Sequence, residues 1–230
     1  MFSQFDWGVI AQSLPYLFME GLRFSVMLTL AAAAGGVVLG TVLALMRFSP
    51  YRLLNLPATG YVNFIRSIPL LLVIFWFFFL VPLLGQALLR SPQPVRMDPF
   101  WSSVITFTLF EAAYFCEIVR AGIGAIPEGQ AHAARALGMT YRQSMKSIIL
   151  PQAFRTMIPL LLTQTIVLFQ DTSLVYVLSI TDLLGAASKI AQRDGRLVEM
   201  YLFVAVVYFV ICLTLSCVVR LIERRMAIHR

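Results

Sequence analysis

Residues 24–46 read FSVMLTLAAAAGGVVLGTVLALM. The run holds 23 residues and no charge, and an α-helix needs only about 20 residues to cross a ~30 Å hydrocarbon core. The same arithmetic recurs outward from this block. Residues 67–89 give a second uncharged run of 23, and residues 200–219 one of 20. Two further apolar blocks contain acids: 99–119 holds Glu111 and Glu117, and 156–181 holds Asp171. The expectation is an all-α membrane protein with five transmembrane helices, forming one domain over residues 1–230.

Composition agrees. The chain is 60% hydrophobic and 13% charged, with a mean hydropathy of +0.83, whereas soluble domains carry about a quarter charged residues. That balance excludes a soluble enzyme, a nucleic-acid-binding module and a disordered chain. The formal charge of +7 follows from topology. Segments 47–66, 120–155 and 220–230 hold twelve Lys and Arg, against six in segments 1–23, 90–98 and 179–199. The richer side is expected to be cytoplasmic. The N-terminus is then outside, and the C-terminus, with Arg224, Arg225 and Arg230, is inside. No clustered basic face for nucleic acid appears. Cys116, Cys212 and Cys217 sit in apolar stretches without metal-ligand spacing and read as small hydrophobes.

Residues 1–22 carry Asp6 and Glu20 but no Lys or Arg, unlike a signal peptide. Trp7, Ile10, Leu14, Leu17 and Phe18 recur at near-helical spacing, which predicts an interfacial helix lying on the membrane, interrupted at Pro15.

The one long hydrophilic segment is 120–155, RAGIGAIPEGQAHAARALGMTYRQSMKSIILPQAFR. A 36-residue loop without structure would be unusual. After Pro127, residues 128–137 are rich in helix formers, with Glu128 at the end where the helix dipole favours an anion. Gly138 follows as a residue able to take positive φ. Thr140 and Gln143 have the spacing of a capping box for a second helix. Met145, Ile148 and Ile149 share a face of that helix, and Pro151 is expected to close it. The segment therefore reads as helix, glycine hinge and helix, with small residues that let another protein approach closely.

His132-Ala133-Ala134, three residues, Gly138, nine residues, Ile148, one residue and Leu150-Pro151 together resemble the EAA loop of ABC importer permeases. The acid that names this motif is replaced by His132, so no contact of that acid carries over. Arg66-Ser67-Ile68-Pro69, Phe110-Glu111-Ala112-Ala113-Tyr114, Glu117 to Ile123, residues 150–153 and 169–176, and Arg193-Asp194-Gly195 extend the resemblance over nearly the whole chain. They are similar to polar amino-acid permeases, most of all those importing glutamate and aspartate. The resemblance implies that the 128–151 loop, with Gly129, His132, Ala133, Ala134, Gly138, Leu150 and Pro151, couples to ATP-hydrolysing subunits. It also implies a second permease subunit, two ATP-binding subunits, an extracytoplasmic solute-binding protein and a bacterial inner-membrane location.

Acids inside spans are costly and should meet a partner or water. Glu117 and Arg120, three apart on one helix, are expected to form a structural ion pair. Glu111 reads either as a lining residue of a path or as a bond to a neighbouring helix. Gln170, Asp171, Thr172 and Ser173 are four consecutive polar residues after a mostly apolar run. They form either a path-facing bend or a helix–helix cluster. No Lys or Arg lies deep in any apolar block, so an acidic substrate follows from the resemblance alone.

The chain has no G-x-x-x-x-G-K-[ST] phosphate loop. It is read as a non-enzymatic permease subunit with no cofactor or metal of its own, ATP and Mg belonging to the partner subunits. A proton-coupled secondary transporter using the intramembrane acids is the alternative, although five spans do not divide into similar halves. An intramembrane enzyme is disfavoured, because His132 and His229 both fall in hydrophilic segments.

Overall fold

The computed structural model describes residues 6–90, 92–94 and 97–226; His229 and Arg230 lie outside them. Eight helices form among these residues. They are α1 (Trp7–Phe48), α2 (Arg52–Arg66), α3 (Leu70–Leu89), α4 (Pro99–Gly124), α5 (Glu128–Ala136), α6 (Tyr141–Leu178), α7 (Leu183–Asp194) and α8 (Leu197–Met226). Five of them, α1, α3, α4, α6 and α8, are long and apolar enough to cross a membrane.

Helix α1 begins where the Asp6 carboxylate accepts a hydrogen bond from Gly8 N at 2.8 Å. The expected interruption at Pro15 does not occur. A proline removes one ladder bond and crowds the preceding turn, and the π-helical turn over Leu17–Leu22 takes up the distortion without ending the helix. From residue 7 onward the N-terminal segment is therefore continuous with the first span.

Helices α1 and α4 run parallel, with Phe24 against Phe100 at one end and Arg47 against Glu117 at the other. Between them a Cβ on Gly40 would stand 2.8 Å from the Ala112 carbonyl oxygen and from Phe115 Cβ. Only a hydrogen fits there, which allows the two backbones to close, as small residues do in membrane helix pairs. Leu28, Ala32, Leu43 and Ala44 of α1 complete this core with Phe107, Ala112, Ala113 and Cys116 of α4.

The segment counted from sequence as lying between two spans, 47–66, carries a helix that belongs to the bundle. Helix α2 packs on α1 and α4 and buries Ala58, Val62 and Ile65. Asn55 Nδ2 donates to the Arg47 carbonyl at 2.5 Å, and the Tyr61 hydroxyl donates to the Leu109 carbonyl at 2.6 Å. Its charges sit at its two ends, Arg52 and Arg66, so the apolar stripe between them escaped a count of uncharged residues. The chain then bends at Ser67, Ile68 and Pro69 before α3 resumes. Proline cannot donate and pushes its predecessor away from helical angles. The second span is thus approached through a broken helix.

Loop helix α5 ends as expected. Gly138 has φ +77°, its N–H donates to the Arg135 carbonyl, and Met139 N–H donates to Ala134. That is the paired-bond terminus which a left-handed residue after a helix makes possible. Thr140 and Gln143 form the reciprocal capping box at the start of α6. Pro151, however, does not close the second loop helix. Leu150 N–H bonds to the Met145 carbonyl, five residues back, in a π-helical turn over Met145–Ile149. With the ladder already re-registered, Pro151 falls in the first turn of the following α-helical stretch, where a missing donor costs little. One helix therefore runs from Tyr141 to Leu178.

At the other end of the bundle Asp182 caps α7, accepting from Leu184 N at 3.0 Å and Gly185 N at 2.9 Å. Burial pushes its carboxyl up to about 6, against the pull of those backbone bonds. Leu183 N–H donates to the Ser25 hydroxyl at 3.2 Å, tying α7 to α1. Ile10, Leu17, Ala186, Ala187, Ile190, Met200 and Val204 form the small core beneath. Helix α8 leaves Leu202, Val206, Phe209, Val210 and Leu213 exposed, an apolar face suited to lipid or to another membrane chain.

Candidate translocation site and coupling loop

The break between α2 and α3 opens onto a cavity of about 480 Å³. Arg66, Ser67, Ile68, Pro69 and Leu70 line one part; Phe110, Glu111 and Tyr114 of α4, and Gln164, Val167 and Asp171 of α6, line the rest. Glu111 is fully buried. Gln164 Nε2 donates to its Oε2 at 3.0 Å, while Oε1 is buried without a hydrogen-bond partner among the described residues. The bond to a neighbouring helix that the sequence allowed for Glu111 is present, and the residue also lines this cavity. A buried carboxylate oxygen left unpaired is costly and marks a place where a donor is missing.

The four-residue polar cluster does not form one wall. Asp171 lines this cavity. Gln170 and Ser173 line a separate one of about 560 Å³ with Tyr201, Tyr208 and Ser216, and none of the described residues lining that space is charged. Thr172 is buried, its hydroxyl donating to the Phe169 carbonyl at 2.7 Å. We take the smaller cavity as the chemical site, since two carboxyl groups, an amide and a guanidinium converge on it.

The Glu117–Arg120 pair forms at 2.8 Å, but Glu117 is shared more widely than its sequence neighbourhood indicates. Arg47 Nη1 donates to Oε1 at 2.6 Å, and Arg66 Nη1 stands 3.4 Å from the same oxygen. Arg47 and Glu117 side chains are 12% and 18% exposed, so this pair is largely shielded, whereas Arg66 is 44% exposed. The Arg66 guanidinium also lies 5.6 Å from the centroid of the Tyr114 ring, within cation–π range. Sequence reasoning used Arg66 only as a charge between two spans and as the start of the stretch Arg66-Ser67-Ile68-Pro69, and did not count it among the site residues; the signal was a cation three residues before a helix-breaking proline.

In the loop, Gly129, His132, Ala133 and Gly138 are exposed, Ala134 is buried, and Leu150 and Pro151 sit where α6 leaves its π-helical turn. Leu137 and Tyr141 flank the hinge at 80% and 78% exposure. The loop thus presents an uncovered mixed surface around Gly138. No group of three or more His, Cys, Asp or Glu able to hold a metal occurs among the described residues.

Residues 36–228 of this helical bundle match the family described as binding-protein-dependent transport system inner membrane component. The chain belongs to that family and is a multi-pass membrane protein. It is 53% identical over 226 residues to the glutamate/aspartate import permease protein GltK of Escherichia coli O6:H1, covering 97% of this chain and 99% of the relative. The L-cystine transport system permease protein TcyB of Bacillus subtilis (strain 168) is 36% identical over 221 residues, covering 96% and 91%. A crystal structure of an amino acid ABC transporter with histidines superposes with a TM-score of 0.86 at 34% identity, covering 96% of this chain and 98% of that one. The family match and that superposition support the five-span fold read from the sequence.

Proposed function

We propose that this chain is the permease subunit of an ATP-driven importer for acidic amino acids, glutamate and aspartate, in a bacterial inner membrane. The observation that carries the substrate is the 53% identity, across nearly the whole of both chains, to a glutamate/aspartate import permease. Relatives named for cystine and glutamine stand at 36% or lower. The cavity supplies suitable chemistry. Glu111 and Asp171 offer acceptors for an amino group, and amides and hydroxyls supply the rest. The path runs past Glu111 of α4 and Asp171 of α6, with Gln170, Thr172 and Ser173 flanking Asp171 on the same helix.

A second permease subunit completes the path against this one, and two ATP-binding subunits dock on the 128–151 loop. An extracytoplasmic solute-binding protein delivers substrate. The N-terminus lies outside and the C-terminus inside, so that the loop faces the ATPases. Hydrolysis is theirs, since this chain lacks a phosphate loop. Family membership lends no support to the proton-coupled alternative.

The test is uptake of radiolabelled glutamate into proteoliposomes holding the intact complex and its binding protein. Uptake should require ATP on the ATPase side and survive collapse of the proton gradient. Uptake driven by a proton gradient without ATP would overturn the assignment.

A further inference from the structure

We propose that the apolar groove between α1, α6 and α8 holds an acyl chain of an anionic phospholipid whose phosphate is met by Arg155 and Arg225. The proposal is independent of the amino-acid reading of the cavity at the α2–α3 break.

The groove has a volume of about 430 Å³. Ile166, Phe169 and Val219 form its buried floor, and Val26, Leu30, Leu215 and Val218 its exposed rim. Thr29 and Thr165 also line it. Each hydroxyl donates to a carbonyl of its own helix, at 2.7 and 2.9 Å, so the groove offers no free donor. Along α8 it reaches from Ile211 to Ile222, eleven residues further on or about 17 Å. That length matches one leaflet of a ~30 Å hydrocarbon core, and it falls short of the about 20 residues of a partner's spanning helix. Ile211 lies near the middle of the uncharged run 200–219 and Ile222 lies beyond its end. The groove therefore belongs to the leaflet at the C-terminal end of α8, the cytoplasmic one in the proposed orientation.

The charges at that end select the lipid. Arg225 stands three residues after Ile222 and seven after Val218, on the stripe of α8 that lines the groove. Arg155 stands seven residues, or two turns, before Leu162, which lines the groove from α6. The Phe169 and Tyr208 rings lie 5.3 Å apart and set the register of the two helices. From that level Arg155 is fourteen residues away, about 21 Å, and Arg225 seventeen, about 26 Å. The two arginines thus reach nearly the same depth. Both are exposed, and neither has an ion-pair partner among the described residues. Glu223, two residues from Arg225, falls on another side of the helix. At the opposite end Arg23, one turn from Val26, lines a different cavity together with Glu20 and Asp98. Arginine pairs with phosphate through its planar fork, and basic sites between spans on the cytoplasmic side recruit anionic headgroups.

The complex of permease and ATPase subunits, reconstituted in phosphatidylcholine vesicles, is exposed to trace phosphatidylglycerol or phosphatidylethanolamine carrying a diazirine in one acyl chain. After illumination, cross-linked residues are mapped by peptide mass spectrometry. Phosphatidylglycerol should label residues 162–169 and 211–222 about fivefold or more above phosphatidylethanolamine at equal mole fraction. Arg155→Gln combined with Arg225→Gln should bring the two lipids to the same level, whereas Lys at both positions should keep most of the difference. Equal labelling in the unaltered complex would overturn the inference, because a surface merely bathed in lipid does not select charge. A preference that survives Gln at both positions would overturn it as well. So would an unlabelled groove in which Val218→Cys, in a chain without native cysteines, cross-links to the second permease subunit, since protein would then fill the space. The unaltered complex decides the first comparison by itself, so a variant that fails to assemble leaves the proposal falsifiable.

Discussion

The bundle around α1 and α4 and the loop from Arg120 to Arg155 are built by opposite means. In the bundle, the decisive contacts join residues far apart in sequence: Gly40 with Ala112 and Phe115, Arg47 with Glu117, Glu111 with Gln164. In the loop they join near neighbours: Thr140 with Gln143, Gly138 with Arg135, Met139 with Ala134. The first kind of structure depends on burial and fails when a shape changes. The second depends on local backbone chemistry and stays exposed, so changes there should alter the output of the protein and leave its integrity intact.

Gly40→Val should produce the largest effect. Its Cβ would lie 2.8 Å from a backbone oxygen that cannot rotate away, so α1 and α4 must separate. We expect loss of folded protein from the membrane fraction, measured by the yield of monodisperse complex. A normal yield would show that the α1–α4 contact is not what holds the bundle.

Gly138→Val should come next and act differently. A β-branched residue in the left-handed region carries about 1–2 kcal/mol of strain, and nothing lies within 4 Å to clash. The complex should be present in normal amount, yet, if the loop docks on the ATPase as proposed, re-aiming α5 should nearly abolish glutamate uptake. Near-normal ATP-dependent uptake would erase the distinction between the two regions.

Asp171→Asn keeps the shape of a cavity-lining side chain and removes its charge. Uptake should fall several-fold with the complex intact. If the complex is lost instead, Asp171 belongs with the packing contacts of the bundle.

The smallest effect should follow Thr140→Ala, which removes a helix cap worth about 1 kcal/mol. Amide hydrogen exchange should quicken over the first turn of α6 while yield and uptake change little. Global destabilisation would mean that the loop is coupled to the bundle more tightly than its exposure indicates.

Much of this was legible in the sequence. Runs such as 24–46 and 200–219 are long enough that only a membrane can bury them, which set the class and the number of spans. The glycine terminus at Gly138 and the capping box at Thr140 were readable because their bonds stay within five residues of one another. Tertiary structure alone decided the rest. It carried α1 through Pro15 and α6 through Pro151, where π-helical turns absorbed the missing donors. It folded the charged-ended α2 into the bundle, and it divided the polar residues 170–173 between two cavities. Above all it brought Arg66, Glu111 and Asp171 to one cavity from three separate helices. The reason is physical: a capping bond or an apolar run is fixed by neighbours along the chain, whereas which charges meet across a cavity depends on how whole helices pack.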